Sequence, residues 1–149
     1  MSATTMKQAA KKAKPVTEPD MKLALSLKKE AEYVPGRRAF FKYRDLGVTA
    51  GTQGRMRAQI TTAIEGMTEP TGWHYHDCDI QFVYVLNGWV DLEFEGRGAV
   101  RMEAGDSIMI PGGLAHQEVR TSDDYEFLEL STPAAIGTQA CDPPKPKRG

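Results

Sequence analysis

The sequence predicts an all-β fold, a closed antiparallel barrel or two-sheet jelly roll with little helix. Three observations carry this: apolar and polar residues alternate at period 2 in short segments, the segments end at Gly, Pro, Asn or Asp, and helical periodicity is scarce. Eight to ten such segments are enough to close a barrel. With 149 residues, 40% of them hydrophobic, the chain can bury one core and hardly two. The expectation is one domain over 21–135, with its motif core at 66–120. A flexible basic arm (1–20) would precede it and a Pro/Lys-rich tail (136–149) would follow.

In chain order, MKLALSLKKE (21–30) reads as a helical turn or an edge strand, and FFKYRDLGV (40–48) as extended up to a turn at Gly47. In RMRAQITTAI (55–64), Met56, Ala58 and Ile60 alternate with Arg57, Gln59 and Thr61, the pattern of a half-buried strand. QFVYVL (81–86) runs into Asn87-Gly88, a dipeptide suited to a two-residue hairpin turn, and WVDLEFEG (89–96) returns with Val90, Leu92 and Phe94 on one face. VRM (100–102), SIMI (107–110), AHQEVR (115–120) and YEFLEL (125–130) complete the series, separated by turns at 103–106 and Pro111-Gly112-Gly113.

A formal net charge of −1 provides no field to gather phosphate backbones or anionic lipid, so neither nucleic acid nor membrane is an expected partner. No apolar run approaches the roughly 20 residues of a membrane span, and the N-terminus lacks the apolar stretch of a signal peptide, so a cytoplasmic location is expected. Cys78 and Cys141 lie far apart in sequence and read as reduced thiols. A small-molecule substrate or ligand is the remaining partner class.

The chemistry sits on the three histidines. His74 and His76 are spaced i, i+2, so on a strand both imidazoles point to one side. His116 follows the Pro-Gly-Gly turn in a later strand, where antiparallel pairing can bring it opposite the first two. Imidazole suits several divalent ions, and three imidazoles can occupy one face of an ion while leaving positions open. Glu118, two residues after His116 and of the same strand parity, is the one nearby carboxylate and a speculative acid/base group. Trp73, Tyr75, Phe82, Tyr84 and Trp89 crowd the same region and read as core or subunit interface, or as a stacking surface for a ligand.

This segment resembles the cupin superfamily. The first family motif reads Gly, five residues, His-x-His, three or four residues, Glu, six residues, Gly; here stand His74-Tyr75-His76, four residues, Gln81, six residues, Gly88. The second, Gly, five residues, Pro-x-Gly, two residues, His, is present in full from Gly105 through Pro111 and Gly113 to His116. The resemblance covers residues 50–132. It implies a cupin-type β-barrel holding one divalent metal ion per chain (Fe, Ni, Mn or Zn) on His74, His76 and His116, with Gln81 as a fourth ligand, and it implies a homodimer. Gln81 departs from the usual glutamate, and a neutral carboxamide leaves about a full +2 on the ion, favouring an anionic or bidentate oxygen substrate. The first-motif glycine is displaced, which leaves the shape of loop 68–72 open, and Arg120 stands where the family often has Asn. The expected function is a metal-dependent, dioxygenase-like enzyme. A non-catalytic binding or sensing module and a cupin isomerase or cyclase are the alternatives.

Overall fold

A computed structural model describes residues 20–146. The expected basic arm, Asp20 excepted, therefore lies outside the described residues, as do 147–149. Eleven strands form: β1 (Val34–Pro35), β2 (Phe41–Asp45), β3 (Arg57–Ala63), β4 (His74–Asp77), β5 (Ile80–Asn87), β6 (Trp89–Phe94), β7 (Gly98–Glu103), β8 (Ser107–Pro111), β9 (His116–Thr121), β10 (Glu126–Thr132) and β11 (Gly137–Ala140). Helix among the described residues is limited to one turn, α1 (Val48–Gly51), and a 3-10 turn at Lys28–Glu30. The all-β expectation is met. One sheet runs β1-β2-β3-β10-β5-β8 and the other β11-β4-β9-β6-β7, every pairing antiparallel.

Between the sheets lie the side chains that the alternation points inward. Val83 and Val85 from β5, Val90, Leu92 and Phe94 from β6, Met102 from β7 and Ile110 from β8 are buried, with Tyr125 at the start of β10. Val85 and Val90 are wholly shielded from solvent, each stabilising the fold by about 1.5–3 kcal/mol relative to exposure. This core fills one end of the sandwich. The other end is lined by polar side chains and stays open.

Three sequence expectations are corrected. The segments 81–86 and 89–96 form strands as expected, but not a hairpin: β5 is flanked on both sides by β10 and β8, so β6 enters the opposite sheet between β9 and β7. Asn87-Gly88 is the corner between sheets. Gly88 has φ +68°, and a Cβ there would overlap the Ser122 hydroxyl, while Trp89 N–H donates to Ser122 Oγ at 2.9 Å. The requirement for glycine was legible and the turn it serves was not. Second, the stretch placed in a tail from residue 136 includes β11, which pairs with β4 at Gly137↔Asp77 through Ala140↔His74. The free edge of β4 recruits it despite a sequence, GTQA, with little strand propensity. Third, within 21–30, read as a helical turn or an edge strand, the helical turn is confined to the 3-10 turn at Lys28–Glu30, while 21–27 run extended along the barrel outside any ladder, with Lys22 N–H donating to Gly51 O at 2.8 Å.

Candidate metal centre

β4 carries His74 and His76 on the face turned toward the open end, and the register places His74 directly opposite His116 of β9. Ring centroids are 4.6 Å apart for His74 and His116, 5.1 Å for His74 and His76, and 5.2 Å for His76 and His116. Each residue offers one ring nitrogen, and these atoms all lie within 4.8 Å of one another. The convergence required by the spacing is present.

Local geometry selects which nitrogen faces the centre. His74 Nδ1 lies 2.8 Å from Gly72 O and His116 Nδ1 lies 2.9 Å from Leu114 O, in both cases the carbonyl two residues back. His76 Nδ1 is 3.3 Å from Gly137 O and 3.1 Å from Thr138 Oγ1, both supplied by β11. A carbonyl only accepts, so each Nδ1 carries the hydrogen and each Nε2 is left with a bare lone pair. His116, 1% exposed, has its Nε2 buried without any hydrogen-bond partner. A buried acceptor with no donor costs about 1–3 kcal/mol unless something binds it. A divalent cation is the partner that three converging lone pairs fit.

Burial disfavours the charged forms of His76 and His116. His76 is pushed down to about 4, first by desolvation and then by the neighbouring His116 and His74, and desolvation also lowers His116. The folded His76 therefore refuses a proton that the unfolded chain accepts below about 6.5. The ion-free protein is expected to hold this contribution above pH 6.5 and to lose stability as pH falls from 6.5 toward 4. Ion retention should fall over the same window, because ligation needs neutral imidazole. Thermal unfolding between pH 4 and 8, with and without added ion, checks this; a flat ion-free profile would contradict it.

The imidazoles open onto a cavity of about 220 Å³. Gln81, 5% exposed, lines it from β5, where its Nε2 donates to Glu129 Oε2 at 3.1 Å and its Oε1 is buried without a partner. Fixing the amide nitrogen on Glu129 assigns the oxygen as the free end, the only end that can ligate. Glu118 also lines the cavity, with Oε2 3.7 Å from His74 Nε2 and accepting from Thr71 Oγ1 at 3.0 Å. The loop left open by the displaced glycine is laced to β9 through Thr71 N–H to Glu118 O at 2.9 Å and Thr121 N–H to Met67 O at 3.1 Å. Gly72 supplies the carbonyl that orients His74. The Pro-Gly-Gly turn packs tightly beneath: a Cβ on Gly112 would overlap the Cys78 carbonyl oxygen.

Several cavity residues were not anticipated. Arg57 from β3 and Glu129 from β10 form an ion pair against Gln81, with side chains 25% and 13% exposed. Burial pushes Glu129 up, and Arg57 and the Gln81 amide oppose that rise. The signal was there in parity: Glu129 shares its face with Tyr125 and Phe127, a carboxylate on an apolar stripe. Likewise Arg57, Gln59 and Thr61, taken from sequence as the polar outer face of β3, line the cavity. None of Trp73, Tyr75, Phe82, Tyr84 or Trp89 lines it; its aromatic walls are Phe41, Tyr43 and Phe127. Arg120 stays away, pairing with Asp91 at 3.2 Å on the exterior. Cys78 and Cys141 are both free. No helix among the described residues is long and apolar enough to cross a membrane.

Comparison with known proteins agrees with this architecture. A family model described as "Cupin domain" matches residues 62–130. The fold is similar to KdgF from a Halomonas species, at 20% identity and TM-score 0.61, covering 74% of this chain and 94% of that one. It is similar to the polyketide cyclase RemF from Streptomyces resistomycificus, at 19% identity and TM-score 0.63, covering 80% and 85%. An RmlC-like cupin from Shewanella frigidimarina matches at 19% identity and TM-score 0.57, covering 76% and 93%. No curated protein matches the sequence.

Proposed function

Because this chain is a cupin whose three histidines converge on an open cavity, we propose that it is a metal-dependent enzyme acting on a small anionic or bidentate oxygen substrate. The observation that carries this reading is the set of three Nδ1-tethered imidazoles, with the buried Nε2 of His116 left unpartnered. His74, His76 and His116 would hold one divalent ion, iron, nickel, manganese or zinc, and Gln81 would offer Oε1. Such an ion supplies a Lewis acid that anchors substrate oxygens and stabilises negative charge on them.

The protein's own groups divide the remaining work. Arg37 and Arg38 bring positive charge to the cavity and suit an anionic ligand, Arg57 being paired with Glu129. Phe41 and Phe127 exclude water along one wall. Glu118 is placed to take a proton from the substrate: its carboxylate stands beside His74, is oriented by the Thr71 hydroxyl, and remains about a third exposed, so that the proton can pass to solvent.

That placement bears on reaction type. The dioxygenase-like expectation came from the family resemblance, whereas Glu118 beside His74 favours proton-transfer chemistry, isomerisation, cyclisation or elimination, on the same scaffold. RemF, described as a cyclase, has a similar fold, and fold alone does not select the reaction. Glu118→Gln is expected to lower kcat by about 10²–10⁴-fold while ion content is unchanged. The test is to incubate the ion-loaded protein with diketones, catechols and hydroxy acids under argon and under air, following products by mass spectrometry. Turnover under argon supports proton transfer, and turnover only with oxygen uptake supports the dioxygenase-like reading. Tight binding without product in either atmosphere contradicts an enzyme and leaves a binding module.

A further inference from the structure

We propose that the substrate carries, beside the oxygens that meet the ion, an unbranched apolar tail of two or three carbons, and that this tail enters an inner chamber of the barrel whose size is set by Val83. The proposal rests on the three-imidazole centre as the anchor for the substrate's oxygens, and adds the shape of what is anchored there. Two residues along β5 from Gln81 stands Val83, whose register partners are Glu129 on β10 and Ile108 on β8. Here a second cavity, of about 40 Å³, opens beside His116. It shares Phe41, Gln81, Glu118, Phe127 and Glu129 with the cavity that the imidazoles face, so the two adjoin. Val83, Leu92, Ile108, Ile110 and Tyr125 are walls of the inner chamber and not of the outer cavity.

The change of lining decides what fits. The outer cavity offers Arg37, Arg38 and the imidazoles to the charged end of a substrate, whereas the inner chamber adds four aliphatic side chains and one buried aromatic ring. The carboxylates at the junction are already engaged: Glu129 pairs with Arg57 and accepts from Gln81 Nε2, and Glu118 accepts from the Thr71 hydroxyl. A second charged group would enter this chamber without a counter-ion, while an apolar group gains burial there at no such cost. Volume then limits length. A water-sized group needs roughly 10–15 Å³, so 40 Å³ holds about three of them in a row, the size of a propyl chain. Val83 is the smallest of the aliphatic walls, since leucine or isoleucine stands at 92, 108 and 110. Its side chain points inward, and one methylene more or less on it changes the room available.

Calorimetric titration of the zinc-loaded full chain with pyruvate, 2-oxobutyrate, 2-oxovalerate, 2-oxohexanoate and 2-oxooctanoate tests this, because these acids share one bidentate anionic head and differ only in tail length. Zinc has no redox chemistry, so binding is read without turnover. Affinity is expected to rise about fourfold with each added carbon as far as 2-oxovalerate and to gain nothing beyond it. Val83→Ile should make 2-oxobutyrate the tightest of the series and Val83→Ala should make it 2-oxohexanoate, with zinc content and the near-ultraviolet spectrum unchanged. Equal affinity for all five acids overturns the chamber and leaves the ion-anchored reading standing. A rise that continues through 2-oxooctanoate, or an optimum that neither substitution moves, also overturns it, by placing the tail outside the barrel. Failure of every acid to bind the zinc-loaded protein overturns the underlying reading, and the proposal with it.

Discussion

Replacing His116 by alanine is expected to release the ion. If the roughly 10–16 kcal/mol of a structural zinc site is taken as the scale and shared among four ligands, each contributes about 2.5–4 kcal/mol, so affinity should fall on the order of 10²–10³-fold. His116 is the strongest choice of the three. It is almost wholly buried, stacked at 5.9 Å on Phe94, and its Nε2 has no other partner. Competition with a chromophoric chelator measures the loss, and near-ultraviolet circular dichroism separates it from unfolding. Unchanged affinity in a folded His116→Ala protein would refute the ligand assignment.

The second large effect concerns Gln81. Restoring the family's usual glutamate looks conservative, yet Gln81 Nε2 donates to Glu129 Oε2 at 3.1 Å. A carboxylate at 81 would face a second carboxylate at hydrogen-bond range in a largely buried site, and both cannot ionise without strong repulsion. Gln81→Glu is expected to destabilise the ion-free protein by about 2–4 kcal/mol at neutral pH, with recovery as pH falls and the pair comes to share a proton. Adding Glu129→Gln should restore most of the loss, because the donor and acceptor then exchange positions. Urea unfolding of the four proteins in a double-mutant cycle gives the coupling. Additive effects would show that the 81–129 contact carries no energy. In this chain the carboxylate beside Gln81 stands on the neighbouring strand, where Arg57 balances it.

Several parts of this arrangement were legible in the sequence, and others depended on partners far along the chain. His74, His76 and the Pro-Gly-Gly turn before His116 were readable because period-2 geometry puts the first two imidazoles on one side of a strand and the resemblance to two spaced family motifs joins His116 to them. The inward faces of β5 and β6 were readable from the same period-2 geometry. Their pairing was not: alternation and Asn-Gly look identical whether the chain folds back in one sheet or crosses to the other, and only the strands already flanking β5 decide it. Arg57 and Glu129 meet because β3 and β10 are neighbours in space, 72 residues apart in sequence, and no local pattern encodes that register. β11 was hidden because Gly137–Ala140 has weak strand character of its own, although it supplies the groups that orient His76.

X-ray absorption at the edge of the bound metal, on protein purified with its own ion, tests the central claim most directly. One divalent ion per chain with three imidazole nitrogens in its inner shell is the expected result. A stoichiometric ion with fewer than three imidazoles around it, or a chain that takes up no divalent ion when iron, nickel, manganese and zinc are offered, would contradict the account.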